Sequence, residues 1–448
     1  MGGEVTGGNW GVEPVPERLQ VLGTVETGLL WGNLGVSLLV VVAGTYLVPA
    51  LSLPDALLAI VVGCLLGNLM LAVAGLIGAD ARVPGMVLMR AALGSRGSLA
   101  PTALNVVQCV GWTIFELIIV ASAAAALCDE LFGFRAQWAW TLAFGAIALA
   151  LGLGGPIGFV RRFVRRFAVW AVPLALAYLT WWALDGASLG TLWDRPGEGG
   201  LSVWQGIDLV VGVTVSWMPL AADYTRFSRS RRAAFWGTGI GYLVPDTWLL
   251  ALGAVLFFSR DLSDPAALPA AVAAGGLAAL VALFALTVTE TDEVFANAYS
   301  GAMSLQNVFP RAPQPLLVTG VAVAATVGAL TIDLVSYQSF LLLLGSFFVP
   351  LFAVLLADWV LAGRHYDGEA VLRAPPLRPG ALVAWLAGFA AYQWLYPTGP
   401  SWWVEQVERL DPPSWGIGAT LPSFAAAFLT GLAAAALRRA RLPRAASA

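Results

Sequence analysis

The chain has no lysine, one histidine and three cysteines, and only 11% of its 448 residues are charged. Each shortage excludes something. With His365 alone, in the loop GRHYDGE, and no convergent Ser-Lys or paired-Asp motif, an intramembrane hydrolase or lipid transferase lacks the nucleophile-and-base pair or metal cluster it needs. Cys64, Cys109 and Cys128 are odd in number, lack metal-ligand spacing and fall in or beside apolar stretches. Neither a disulfide framework nor a zinc site is expected from them, and they read as small packing residues. Residues 1–29 are polar and mixed in charge, without the basic start, apolar run and cleavage site of a signal peptide. They read as a cytoplasmic tail. No block is left for a soluble domain, which argues against a receptor that senses a ligand without moving it.

What the chain has in abundance is apolar surface: 59% of its residues are hydrophobic, far above a soluble domain. Taking ~20 apolar residues per crossing, the sequence predicts about twelve helices, an all-α polytopic membrane protein. The first six fall near 30–50, 55–78, 101–127, 138–154, 167–185 and 203–222. The second six fall near 236–258, 271–299, 315–332, 338–362, 381–396 and 418–437. With every basic residue an arginine, 20 of the 24 fall in loops on the amino-terminal side, and only Arg135, Arg195, Arg260 and Arg409 fall opposite. The positive-inside rule then places both termini, including the basic tail 438–448, in the cytoplasm of an inner-membrane protein.

Two spans do not read as simple helices. The first opens with WGNLGVSLL, and the sixth contains VGVTVSWMPLAADYTRF with Pro219 inside the membrane. Interrupted helices five spans apart point to an inverted five-plus-five repeat, about 30–185 and 203–362, with a binding site at the breaks and two extra helices over 381–437. Freed carbonyls there can ligate a cation. The alternative is that Gly and Pro only allow close helix packing.

Polar residues inside the spans carry the functional reading. Gln108, Trp112 and Glu116 follow one another at one-turn intervals in the third span, so they share a face. A carboxylate near mid-membrane costs at least ~2.5 kcal/mol, and an indole with an amide and a carboxylate suits a flat heterocycle that stacks and is held by its edges. A Glu paired for structure is the alternative. In the eighth span Glu290, Thr291, Asp292, Glu293 and Asn297 lie close in sequence. Thr291, Asp292 and Asn297 can face a cavity, while Glu290 and Glu293 point in nearby but distinct directions. Hard oxygen ligands suit Na+, and a buried carboxylate can instead carry H+. Asp223 and Arg226, where the sixth span ends, read as a structural pair or anchor, and His365 as an exposed loop residue.

The segments GNLGVSLL, MRAALGSRGS, NVVQCVGW, SWMPLAADYTRF and NAYSGAMSLQN, in this order over about residues 25–370, resemble the nucleobase:cation symporter-1 family. The resemblance implies a twelve-helix inverted-repeat transporter that imports a planar heterocycle by Na+ or H+ symport with alternating access. It implies that Trp112 stacks on the substrate, that Glu116 stands where members hold a hydrogen-bonding Gln, and that Ser216 and Asn297 contact the ligand. A second stacking aromatic would fall at Thr214, where it is missing, and Trp217 is its candidate replacement. Thr291 and Asp292 fall at the family's two hydroxyl ligands for Na+, with first-span carbonyls from Gly35 to Leu38 completing the site. The expected substrate is cytosine-like, with hydroxymethylpyrimidine, purine, allantoin or hydantoin as alternatives within the family. An amino acid is the remote alternative, because Glu116 would repel its carboxylate. Apart from the coupling ion no cofactor is expected, nor catalysis, nucleic acid or an obligate protein partner; the lipid bilayer and the small substrate are the partners.

Overall fold

Serines mark where several helices begin. Ser37, Ser52, Ser202 and Ser230 each accept a hydrogen bond from a backbone N–H of the turn that follows, which satisfies a donor the helix leaves unpaired. The computed structural model describes residues 11–153, 169–332, 334, 337–413 and 415–441. The arginine cluster at 161–166 and Arg444 lie outside them, as do the side chains of Thr291 and Asp292.

Nineteen α-helices follow one another among the described residues. The first ten are α1 (Thr24–Leu34), α2 (Leu38–Thr45), α3 (Leu53–Ala81), α4 (Gly85–Leu93), α5 (Leu99–Phe132), α6 (Gln137–Gly152), α7 (Val169–Leu184), α8 (Leu189–Asp194), α9 (Val203–Val215) and α10 (Ala221–Thr225). The others are α11 (Arg231–Ser259), α12 (Leu268–Ala273), α13 (Leu277–Val308), α14 (Gln314–Ala329), α15 (Tyr337–Leu361), α16 (Gly368–Leu372), α17 (Pro379–Leu395), α18 (Ser401–Glu408) and α19 (Thr420–Arg441). Twelve crossings result when α1 joins α2 and α9 joins α10; the remainder are α3, α5, α6, α7, α11, α13, α14, α15, α17 and α19. On α3, Leu58, Val61, Leu65 and Leu69 form an exposed apolar stripe, the face a bilayer would cover.

The predicted breaks are both present and differ in kind. Between α1 and α2 the axis bends by 59°, and Gly35 sits where a Cβ would meet the Pro245 ring at 2.7 Å. Between α9 and α10 the chain tightens into a 3-10 turn over Met218–Leu220. Pro219, which has no N–H to give, stands near the start of that turn, and the backbone stays right-handed.

Eleven of the twelve crossings sort into three packed groups, and α7 packs against α13 and α11. Spans one, two, six and seven (α1/α2, α3, α9/α10, α11) form a bundle. Spans three, four, eight and nine (α5, α6, α13, α14) form a second group, called here the scaffold, and α15, α17 and α19 a third. Buried carboxylates tie the third group to the bundle. On one side of the membrane Asp208 of α9 accepts the Ala419 and Thr420 N–H groups at 2.6 and 2.9 Å, at the start of α19. On the amino-terminal side Asp80, at the end of α3, accepts from Arg231 and from Trp359 Nε1, His365 Nδ1 and the Tyr366 N–H at 3.2, 2.8 and 2.8 Å. Next to it Tyr366 donates to Asp358 at 2.8 Å. Burial first, and the Asp358 charge second, hold that phenol well above its ordinary range, so it stays a donor.

Four expectations change. Residues 11–23 do not hang free as a tail: the Val15 N–H bonds to the Arg82 carbonyl at 2.9 Å, and Leu22 forms a parallel bridge with Ser228. The first helix also starts at Thr24, because Glu26 satisfies the Gly23 N–H at 3.1 Å. The eighth span is displaced to Leu277–Val308, since Gly276 at φ 91° separates it from α12. His365, with an exposed side chain, nevertheless bonds to Asp80.

Helices α2 and α11 touch backbone to backbone, since a Cβ on Gly44 would fall on the Leu250 carbonyl and one on Gly253 on the Val41 carbonyl. Gly253→Val should cost about 1–3 kcal/mol or more, read as a lower thermal midpoint of the detergent-purified protein. Gly320→Ala, with nothing within 4 Å of the added carbon, should leave the midpoint unchanged or slightly raised.

Candidate functional site

The face predicted on the third span looks across to the eighth. Gln108, Trp112 and Glu116 are all buried on α5. From α13, Asn297 donates through Nδ2 to Glu116 Oε1 at 2.9 Å and to the Glu293 carbonyl at 3.3 Å. Two residues that the resemblance assigns to the substrate therefore hold each other, and the amide fixes which way the carboxylate points.

Gln108 reaches the other way, into the bundle. Its Nε2 donates to the Ser216 carbonyl at 2.7 Å and to Asn105 Oδ1 at 2.8 Å, and Asn105 donates to Ser304 Oγ at 2.7 Å. Both Gln108 protons are thus directed, while its Oε1 is buried with no donor. An acceptor left in that condition costs about 1–3 kcal/mol, so it is an opening for an N–H from a ligand. Ser216 turns its own hydroxyl to the Val213 carbonyl at 2.6 Å and offers the site its backbone instead.

The aromatic wall around Trp112 comes from the tenth span. Tyr337 and Phe340 of α15 meet the indole edge-on, each at 5.6 Å, and Phe115 meets the same two rings at 5.4 and 5.3 Å. The Tyr337 hydroxyl donates to the Leu39 carbonyl of α2 at 3.3 Å. Sequence reasoning missed this pair, although YQSF at the start of an apolar span was a visible signal.

Thr214 and Trp217 are placed away from that wall. Thr214 donates to Asp246 at 2.8 Å. The Trp217 ring packs 5.8 Å from Trp31 and 6.1 Å from Tyr242, inside the bundle. The helix continues nearly unbroken through Val215, so its next side chains follow the bundle-facing direction.

At the first break a carboxylate engages a serine hydroxyl and a backbone N–H. Glu290 accepts from Ser37 Oγ through Oε1 and from the Leu38 N–H through Oε2, both at 2.7 Å. Ser37 Oγ in turn accepts the Leu39 N–H at 3.0 Å. A fully buried carboxylate thus caps the amino end of α2, where the half-helix is positive. Gly35 closes α1 through its N–H to the Trp31 carbonyl at 2.9 Å. The oxygens of Glu290 and Ser37 form a hard-ligand corner of the kind that suits a monovalent cation or a proton. Asp223 and Arg226, also buried, are joined by Arg226 Nε donating to the Asp223 carbonyl at 3.2 Å, while the Asp223 carboxylate accepts the Gly85 N–H at 2.9 Å and Arg226 also donates to the Gly11 carbonyl and to Tyr299 at 2.8 and 3.2 Å.

Trp112, Gln108, Glu116, Asn297 and Ser216 are each no more than 7% exposed. The site is closed, at the seam between bundle and scaffold.

Comparisons with known proteins bear on the fold and the family. The fold matches the transporter MHP1, of the nucleobase-cation-symport-1 family, in a closed conformation with bromovinylhydantoin bound, at TM-score 0.75 and 21% identity over 98% of this chain and 97% of that one. A Na+-coupled sialic acid symporter shares the fold at TM-score 0.63 and 10% identity, over 93% and 90% of the two chains. The cytosine permease of Escherichia coli strain K12 is 26% identical over 358 residues, 77% of this chain and 80% of that protein. The allantoin permease of Bacillus subtilis strain 168 is 23% identical over 335 residues, 66% of each. These relatives are permeases, not enzymes. Residues 14–417 match the family described as permease for cytosine/purines, uracil, thiamine, allantoin, and the chain belongs to that nucleobase:cation symporter family.

Proposed function

We propose that this permease imports a cytosine-like base together with Na+ or H+ across the cytoplasmic membrane, with both termini inside. The observation that carries the substrate class is the polarity of the pocket. Asn297 holds the Glu116 carboxylate one turn from the Trp112 ring, and Gln108 Oε1 is a buried acceptor on the same face. Acceptors on both sides of an indole select a flat ring with a donor-rich edge, as an aminopyrimidine has, over one rich in carbonyls. The likeness to cytosine permease supports the same class, and the likeness to allantoin permease supports a related heterocycle as the alternative.

In this reading the bundle rocks against the scaffold about the seam that carries the site. Ligand and ion favour the same closed state, and each raises the affinity for the other by one shared free energy. Gln108, bonded to Ser216, and Glu290, bonded to Ser37 and Leu38, are among the polar links that such a motion has to remake. The arginine asymmetry supports the orientation.

Uptake of radiolabelled cytosine into proteoliposomes, with and without Na+ and pH gradients, tests the function. Competition by hydroxymethylpyrimidine, uracil, hypoxanthine, allantoin and hydantoin ranks the substrates, and no uptake or competition by any of them would remove the nucleobase assignment. Trp112→Ala should weaken binding by about 1–3 kcal/mol, roughly five- to 150-fold. Glu116→Gln should cut the preference for cytosine over uracil at least about tenfold. Unchanged affinity and selectivity in both would remove this pocket. Glu290→Ala should lose about 1.5–3 kcal/mol of stability, from the hydrogen bonds its charge accepts, together with uptake. Glu290→Gln, still an acceptor, should recover most of the thermal midpoint.

A further inference from the structure

Away from the pocket, the bundle contains a carboxylate with no basic partner. Asp246 of α11 is fully buried and belongs to none of the salt bridges among the described residues. Its Oδ2 accepts from Thr214 Oγ1 at 2.8 Å and from Asn68 Nδ2 at 3.2 Å. Asn68 Nδ2 also donates to the Cys64 carbonyl at 2.9 Å. A backbone carbonyl only accepts, so this bond fixes which amide atom is nitrogen. Asn68 Oδ1 and Asp246 Oδ1 remain, both buried and both acceptors without a donor.

Two orphaned acceptors on groups already joined by one N–H···O bond have a simple chemical reading. A carboxylic acid facing a primary amide makes two bonds, N–H to one carboxyl oxygen and O–H from the other to the amide oxygen. A proton on Asp246 would supply the donor for the second. We propose that Asp246 and Asn68 form a proton site inside the bundle, with the proton on Asp246 Oδ1 donated to Asn68 Oδ1, and that this proton is the one co-transported. The transport half of the proposal rests on the function proposed above.

The neighbourhood supplies no competing positive charge. From α3, the Cys64 thiol is a further, weak hydrogen-bond donor to the Asp246 carboxylate, while Asp55 and Asp80 stand near the helix ends. Of the other helices around it, α2 has no charged residue, α7 has Tyr178 as its titratable group, and α1 has Glu26 in its first turn. From α9, Asp208 is engaged with Ala419 and Thr420, and on α11 itself Tyr242 stands one turn earlier. The site is also wired to the substrate seam. Thr214, bonded to Asp246, accepts the Trp217 N–H at 3.2 Å, and the Ser216 carbonyl between them holds Gln108. Charging Asp246 therefore acts on the turn that positions Gln108.

Infrared difference spectra of the purified full-length protein between low and high pH test the site without any substrate. A protonated-carboxyl C=O band should be present, should vanish in Asp246→Asn, and should move to higher frequency in Asn68→Leu, where the carboxyl loses its amide partner. In proteoliposomes Asp246→Asn should lose the stimulation of cytosine uptake by a pH gradient while keeping exchange of labelled for unlabelled cytosine. No band sensitive to Asp246, or pH-gradient stimulation intact in Asp246→Asn, would overturn the proposal, as would uptake driven by Na+ alone. A band that behaves as expected in a protein that moves no nucleobase would keep the proton site and remove only its transport role.

Discussion

Backbone that leaves a helix within a bilayer has no water to bond to, so the protein itself has to complete it. The two interruptions of this fold are completed from the opposite group of helices. Glu290 of the scaffold takes the Leu38 N–H at the first break, and Gln108 of the scaffold gives to the Ser216 carbonyl at the second. The donor end of one half-helix receives a carboxylate, and a freed carbonyl of the other receives an amide. Both breaks thus meet the scaffold through polar groups, and the candidate pocket lies at that part of the seam.

The third group gives the seam its outer boundary. Tyr337 and Phe340 close on Trp112, and the Tyr337 hydroxyl reaches the second half of the broken first span. Asp80 and Asp208 secure the same group to the bundle on the two sides of the membrane. The tenth span thus touches both moving partners at once.

Much of this was legible in the sequence. Twelve apolar runs, the two interruptions and the Gln108, Trp112, Glu116 stripe follow from composition and from the one-turn spacing of polar residues, and Asn297 from the family motif. Other features depend on tertiary contact. Glu290 and Glu293 are three apart in one acidic stretch, and only the packing of α13 against the first break shows which one caps it. Thr214 and Trp217 came from the family motif, as the position of a missing stacking aromatic and its candidate replacement, and only the packing shows Thr214 bonded to Asp246 and Trp217 against Trp31. Asp246 gave no signal, since a lone Asp after Pro245 reads as a kink until Asn68 and Thr214 are seen around it.

The account rests on a closed seam that a ligand stabilises between two groups of helices. Spin labels at Arg232→Cys on the bundle and Arg311→Cys on the scaffold, both exposed positions, in a background with Cys64, Cys109 and Cys128 replaced, would measure the separation of the groups by pulsed electron resonance. The account predicts more than one distance in the ligand-free protein, collapsing toward one when the transported base and its coupling ion are both present. A single distribution unchanged by base and ion together would contradict it.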